Sequence, residues 1–115
     1  MPALAPLPIS DVTACCAPIE REALDPAVAE DLARGLKALA DPARLRLVSL
    51  IAAAPGREAC VCDLTRPLGL SQPTVSHHLK TLVDAGFLTR SKRGVWAYYA
   101  IVPGALDGLS RVLGG

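Results

Sequence analysis

The chain has 115 residues, of which 51% are apolar and 20% are charged, a composition that fits one compact domain and excludes a disordered chain. Its formal net charge of +1 argues at first sight against a partner as acidic as nucleic acid. However, residues 1–41 carry three basic and seven acidic side chains, whereas residues 42–115 carry nine basic and four acidic ones. The near-neutral total therefore combines an acidic N-terminal part with a basic C-terminal part.

No stretch of the sequence reaches the ~18 to 20 apolar residues that a membrane span needs. The longest nearly apolar run, residues 45–55, is interrupted by Arg46 and Ser49, and no basic residue precedes Arg21 to begin a secretory signal. We therefore expect a cytoplasmic protein without membrane contact. In a reducing compartment, four cysteines favour metal binding, redox chemistry or burial over stable disulfides.

Residues 1–24 contain four prolines and no helical periodicity, so we expect a flexible N-terminal arm outside the core. This arm carries the adjacent Cys15 and Cys16. Residues 25–115 are expected to form the folded domain, which begins where Asp25 and Pro26 provide a helix cap and a first helical residue.

Two helices are predicted to open with the same Asp-Pro pair, at Asp25-Pro26 and at Asp41-Pro42. The first has apolar residues at helical spacing, namely Val28, Leu32, Leu36 and Leu39. The second, to about residue 54, is apolar nearly all round and is therefore expected to be buried.

A helix-turn-helix pattern follows the Pro55-Gly56 break. A short helix over residues 61–68 precedes a turn at residues 69–71, and Ser71 caps a helix over residues 73–85. In that second helix Val75, Leu79, Leu82 and Val83 share one side, while Thr74, His77, Lys80 and Thr81 point away. His78 lies at the flank, where a half-buried packing or capping role is favoured.

The sequence becomes β-like after Gly86, because all four aromatic residues of the chain fall within residues 87–99. Two strands, residues 87–90 and 95–101, are predicted to join through residues 91–94 into a hairpin with a basic tip. Pro103 is expected to open a last helix that ends near residue 113. The predicted fold is mainly α with a β-hairpin, a winged helix-turn-helix.

Positive charge is concentrated in this region, since residues 66–96 hold five basic side chains against the single acid Asp84. Cations neutralise phosphates, and hydroxyl, amide and imidazole groups on an exposed helix face can bond base edges in the major groove. We assign to the groove Ser71, Gln72, Thr74, Ser76, His77 and Lys80. We assign to backbone phosphate or minor groove the wing residues Arg90, Lys92 and Arg93. For any one of these residues alone, an ordinary solvated side chain is the better explanation, and only the agreement of all of them favours DNA contact.

The four cysteines form two pairs, Cys15-Cys16 in the arm and Cys60-Val61-Cys62 at the start of the short helix. Residues two apart in a helix point about 200° away from each other, so Cys60 and Cys62 can converge on one ion only if the chain is not yet helical at Cys60. Four thiolates suit soft ions and exclude Mg²⁺ and Ca²⁺. Simple burial of Cys60 or Cys62, or a regulatory disulfide between the two pairs, remains an alternative.

Three segments resemble the ArsR/SmtB family of metal-sensing repressors, over about residues 28–101. Residues 39–46 (LADPARLR) resemble its opening signature and residues 70–80 (LSQPTVSHHLK) its recognition helix. Residues 58–64 (EACVCDL) resemble the Glu-Leu-Cys-Val-Cys-Asp-Leu box of its arsenic and cadmium/lead sensors, with Ala59 where leucine is usual.

The resemblance implies a homodimer, paired through its first and last helices, that binds a palindromic double-stranded operator and leaves it when the ion is bound. One familiar arsenite pattern has a cysteine three residues after Cys62, where this chain has Thr65. The Cys15-Cys16 pair resembles that of arsenite repressors whose site an N-terminal cysteine pair completes. The last helix has no histidine, so the family's zinc site on that helix is absent.

The resemblance therefore implies a repressor released from DNA by As(III), or the related Sb(III), through Cys15, Cys16, Cys60 and Cys62. The alternatives are a Cd(II)- or Pb(II)-responsive repressor of the same family and a thiol redox-sensing repressor. No organic cofactor is expected. An enzyme is disfavoured because no acid/base set accompanies the thiols.

Overall fold

The computed structural model describes residues 8–14 and 17–114, and within them it forms helices and one small sheet. The helices are α1 (Ile9–Ala14), α2 (Pro26–Leu39), α3 (Pro42–Ala53), α4 (Val61–Leu68), α5 (Gln72–Asp84) and α6 (Ala105–Val112). The strands are β1 (Glu58–Cys60), β2 (Leu88–Arg93) and β3 (Trp96–Ile101), and a single 3₁₀ turn, Pro55–Arg57, precedes β1. None of the helices in these residues is long and apolar enough to cross a bilayer.

Both Asp-Pro pairs begin helices, as the sequence predicted. The Asp25 carboxylate accepts the Ala27 N–H at 2.8 Å, and the Asp41 carboxylate accepts the N–H groups of Ala43 and Arg44. These bonds satisfy backbone donors that have no partner within the helix.

Helix α3 is less buried than its sequence predicted. Leu47, Val48 and Ile51 lie in the core, but the side chain of Leu45 is 55% exposed. The reason is that α3 packs on α4, α5 and the sheet through one face only, so apolar residues on its opposite face stay exposed.

The sheet has the order β1-β3-β2, and both pairings are antiparallel. Strand β1 was not predicted, because three residues are too short to show an alternating pattern. Strand β2 continues to Arg93, and the turn is confined to Gly94, which has a positive φ of 64°, and Val95. The predicted turn at residues 91–94 was therefore wrong in its bounds, and Lys92 and Arg93 belong to the strand.

Residues 9–14 correct the expectation that the N-terminal arm lies outside the core. Ile9, Val12 and Thr13 are buried where α1 packs against α2 and α6. Glycines allow this close approach, since a Cβ on Gly35 would lie 2.6 Å from Ile9 Cδ1, and one on Gly108 would collide with Thr13. Six residues are too few to display helical periodicity. Cys15 and Cys16 lie outside the described residues, and the domain boundary at residue 25 stays a prediction.

The recognition-type helix α5 carries the centre of the core. Val75, Leu79 and Leu82 are fully buried together with Phe87, which confirms the apolar side predicted for this helix. His78 is half-buried as predicted. Its Nδ1 lies 3.1 Å from Nη1 of Arg44. The opposite face of α5 is therefore left to solvent and to any partner.

Candidate nucleic-acid interface and thiol site

The turn between α4 and α5 sets the orientation of α5 relative to α4. Gly69 ends α4 in the left-handed conformation (φ 67°, ψ 22°), which a residue without a side chain adopts readily. Ser71 then caps α5, where its Oγ accepts the Thr74 N–H at 3.4 Å and lies 2.9 Å from Thr74 Oγ1. Two hydroxyl groups therefore stand at the N-terminal end of α5, the end that enters the major groove in helix-turn-helix proteins.

The outward face of α5 is polar. Gln72, Thr74, His77 and Lys80 are exposed, and Ser76 is half-buried. The Lys80 ammonium forms an ion pair with Asp84 at 2.8 Å, with 73% and 62% of the two side chains exposed. An exposed pair of this kind contributes little to stability, so Lys80 can exchange Asp84 for a phosphate at small cost.

A cleft of about 530 Å³ separates α5 from the wing, which we define as β2, β3 and the turn between them. Lys80 of α5 and Arg90 of β2 bring a positive charge to each wall, and Gln72 and Ser76 add polar groups. This helix–wing cleft also contains Trp96, whose side chain is 50% exposed, next to Val95, which is 84% exposed. Two cations over a polar and aromatic floor suit the phosphate and sugar of a nucleic-acid strand.

Val95 and Trp96 were missed as interface candidates by sequence reasoning, which assigned them only to a strand. The signal that could have found them is their position directly after the basic segment Arg90–Arg93, at the tip of the hairpin, where the chain turns away from the core.

Arg93 differs from the other basic residues of the wing. Its guanidinium donates two hydrogen bonds of 2.8 Å to the Glu58 carboxylate and lies 4.4 Å above the ring of Tyr98. The hydrogen bonds from Arg93 lower the pKa of Glu58, and the same bonds raise the pKa of Arg93. No described acidic side chain forms an ion pair with Arg90 or Lys92. The free positive charge of the wing therefore resides on those two residues.

Cys60 and Cys62 lie where a strand becomes a helix. Cys60 is the last residue of β1 and the N-cap of α4, with an extended backbone (φ −76°, ψ 146°), and its Sγ accepts the Cys62 N–H at 3.2 Å. The chain is thus not yet helical at Cys60, which is the condition under which the two side chains can converge. We call this pair the thiol site.

The two sulfurs of the thiol site are bonded to each other as a disulfide, which differs from the expectation of free thiols. Binding of one ion by both sulfurs therefore requires the reduced pair. Cys60 is 2% exposed, whereas Cys62 is exposed and opens onto a shallow cavity of about 270 Å³ beside Asp63 and Arg66. Within residues 8–14 and 17–114, no three His, Cys, Asp or Glu side chains are grouped to hold a metal ion.

The described residues on either side of Cys15 and Cys16 are held by α6. The Thr13 carbonyl accepts a hydrogen bond of 2.7 Å from Arg111, and the Ile19 N–H donates to the Val112 carbonyl at 2.8 Å. Helix α4, by contrast, packs on α3, α5 and the sheet.

Comparison with known sequences places the helix-turn-helix region in a described family. The model for "Bacterial regulatory protein, arsR family" matches residues 41–90. Over 67 residues the chain is 48% identical to the arsenic resistance transcriptional regulator ArsR1 of Pseudomonas putida, a match that covers 58% of this chain and about half (51%) of that relative. It is 38% identical over 84 residues to an arsenical resistance operon repressor of Staphylococcus xylosus, covering 73% and 78% of the two chains.

Solved structures agree with the fold. The AntR antimony-specific transcriptional repressor superposes with a TM-score of 0.66 at 32% identity, covering 79% of this chain and 81% of that one. A homodimeric winged helix-turn-helix DNA-binding domain from Mycobacterium bovis superposes with a TM-score of 0.62 at 27% identity, covering 81% of each chain. The predicted winged helix-turn-helix fold is confirmed.

Proposed function

The chain belongs to the ArsR family of bacterial regulatory proteins, and from this premise we propose that it is a homodimeric repressor that As(III) releases from its operator. At the coarser level it is a metalloid-responsive, DNA-binding transcriptional repressor and not an enzyme, as the sequence predicted. The observation that carries the finer proposal is the convergence of Cys60 and Cys62 at the start of α4, which is the first helix of the helix-turn-helix. A cytoplasmic location stays a prediction.

The DNA side of the proposal rests on α5 and the wing. In a two-fold dimer the two α5 helices would enter successive major grooves about 34 Å apart. On the proposed operator, α5 would present to the major groove Ser71, Gln72, Thr74, Ser76, His77 and Lys80. Arg90 and Lys92 would contact backbone phosphate or the minor groove from the wing, where Arg93 is paired with Glu58. We propose that the helix–wing cleft binds the phosphate backbone that separates the major groove from the adjacent minor groove, because Lys80 and Arg90 lie on opposite walls of the cleft.

The inducer side rests on the chemistry of the donors. Sulfur ligands suit soft, thiophilic ions. Trivalent arsenic bound by three thiolates would hold those three sulfur atoms close to one another. Cys60 and Cys62 would supply two of the three, and Cys15 or Cys16 the third. The likeness to the antimony-specific AntR repressor supports Sb(III) as a second inducer. Cd(II) or Pb(II), held by all four cysteines, stays the alternative.

Residues between the thiol site and α5 would carry the response. Helix α4 packs directly on α5 and on β3. A change in the position of Cys60 and Cys62 would therefore shift the surface against which the recognition helix α5 packs. Shifting a population from 1:99 to 99:1 takes about 5.5 kcal/mol of differential binding, which several metal–thiolate bonds can supply.

The proposal is tested by fluorescence anisotropy with a labelled duplex selected by the reduced protein from a random library. As(III), Sb(III), Cd(II), Pb(II), Zn(II) and peroxide are each titrated into the complex. We expect release by As(III) and Sb(III), retention with Zn(II), and loss of the response in Cys62→Ser with DNA binding kept. Equal release by Zn(II) contradicts a thiolate-selective sensor, and release by peroxide alone supports the redox alternative.

A further inference from the structure

We propose that the ion pair between Glu58 and Arg93 is the link through which the thiol site positions the wing. Both residues are then positioning residues for operator binding, and Arg93 is not an ordinary phosphate contact. The inference rests on the proposed function and names a route of regulation within it.

The pair spans the sheet. Strands β1 and β2 are not neighbours, because β3 lies between them. Arg93, at the end of β2, crosses β3 above the ring of Tyr98 and reaches Glu58 at the start of β1 with two hydrogen bonds of 2.8 Å. An exposed ion pair is worth little by itself, but a two-pronged bond combined with a stacked guanidinium fixes one orientation.

Two connections lead from the thiol site to Arg93. Glu58 precedes Cys60 by two residues in β1, so the two side chains project to the same side of the sheet. Cys60 is also paired with Tyr98, the residue on which Arg93 stacks. A displacement of β1 at Cys60 therefore reaches Arg93 through the strand and through the ring.

Arg93 stands at the base of the wing tip. It is paired with Trp96 across the turn formed by Gly94 and Val95, so its orientation sets that of the tip. Arg90 and Lys92 lie on the same strand without a described carboxylate partner, which makes them natural controls. We infer that the pair holds the tip in its DNA-binding position until the state of the thiol site changes.

The first test measures operator affinity with and without As(III), and the ratio of the two dissociation constants reports the coupling. In Glu58→Gln and in Arg93→Gln we expect this ratio to fall about two- to fivefold, the range that single ion pairs give in double-mutant cycles. The double variant is expected to reduce the ratio no further than either single variant, and the exchange Glu58→Arg with Arg93→Glu to recover most of it. The control Lys92→Gln should weaken binding in both states and leave the ratio unchanged.

The second test needs no DNA, because Trp96 is the single tryptophan of the chain and reports on the wing alone. We expect its emission to change when the reduced protein is loaded with As(III), and the change to be absent in Glu58→Gln but kept in Lys92→Gln. Loading is verified separately by counting free thiols.

The outcomes separate this inference from the proposed function. If As(III) fails to release the operator yet Trp96 responds through Glu58, the proposed function fails and the link stands. If loading is complete and Trp96 does not respond, or if Glu58→Gln responds as the natural protein does, the link is wrong. If Arg93→Gln matches Lys92→Gln in every assay, Arg93 is a phosphate contact.

Discussion

Nη1 of Arg44 lies 3.1 Å from Nδ1 of His78, and this contact joins the first turn of α3 to the recognition helix α5. The same guanidinium donates to the carbonyls of Ala38 at 2.6 Å and Lys37 at 3.3 Å, at the end of α2. One side chain thus connects three helices and orients α5 from behind.

Replacing Arg44 by lysine is expected to destabilise the protein, because an ammonium cannot serve three acceptors with the planar geometry of a guanidinium. The loss should be about 1.5–3 kcal/mol in the free energy of unfolding, measured by urea denaturation. Arg46→Lys is the matched control, since exposed Arg46 makes one hydrogen bond, to the Pro67 carbonyl. Equal effects of the two changes would show that the connection through Arg44 does not matter.

Replacing Gly108 by alanine is expected to displace α1. The added Cβ would collide with Thr13, and overpacking of this kind costs about 1–3 kcal/mol. Hydrogen exchange of the amides in residues 9–13 should accelerate, whereas Ser110→Ala, on the exposed side of α6, should leave it unchanged. Unaltered exchange in Gly108→Ala would mean that α1 is not held by this contact.

The two cysteines of the thiol site are expected to differ in what their replacement does to stability. Cys60 is buried and Cys62 is exposed. Cys60→Ser should therefore lower the free energy of unfolding of the reduced protein by about 1–3 kcal/mol, because it buries a hydroxyl group. Cys62→Ser should leave stability unchanged while abolishing the As(III) response. A response that survives in Cys62→Ser would remove this residue from the ligand set.

Lys92, an exposed cation of the wing, and Gln72, a polar residue at the start of α5, should affect DNA binding in different ways. Lys92→Gln is expected to weaken binding to every duplex about equally and to reduce the slope of log affinity against log salt by about 0.9 for each phosphate that is no longer neutralised. Gln72→Ala should instead change the preference between base sequences and leave the slope unchanged. Anisotropy titrations at several salt concentrations measure both quantities. A slope that Lys92→Gln does not alter would exclude a phosphate contact.

Stability at low pH should depend on Asp41. The backbone N–H of Arg44, followed by that of Ala43 and the charge of Arg44, holds the pKa of this carboxyl below its ordinary value of 3.8. Because the folded state favours the ionised form, this contribution is present above the ordinary pKa and is lost as the pH falls through the folded value. Asp41→Asn keeps a cap without a charge, so its stability should fall less than that of the natural protein between pH 5 and pH 2. Parallel curves would contradict this.

The sequence predicted the elements that depend on local signals. The Asp-Pro pairs at residues 25–26 and 41–42 mark helix starts by their own hydrogen-bonding chemistry, and Gly69 with Ser71 marks the helix-turn-helix turn. Helix α1 and strand β1 were missed because six and three residues are too few for periodicity, so only their tertiary contacts reveal them.

The sequence predicted the types of residue in the candidate site better than it predicted their spatial arrangement. The residue types of α5 and of the Cys-x-Cys segment indicated DNA and a soft ion. The pairing of Arg93 with Glu58 joins residues 35 positions apart, and no local pattern encodes it. The same limit applies to Trp96, whose exposure follows from the position of the wing against α5.

The place of the thiol site at the boundary between β1 and α4 has a consequence for how such a site can be inactivated. One position later, Val61 and Asp63 have the same spacing but lie wholly within the helix, where residues two apart point about 200° away from each other. A change that lengthened α4 backwards past Cys60 would turn the two sulfurs apart in the same way. Such a variant would keep all four cysteines but lose the convergent sulfur pair, so the ion would no longer change its affinity for DNA.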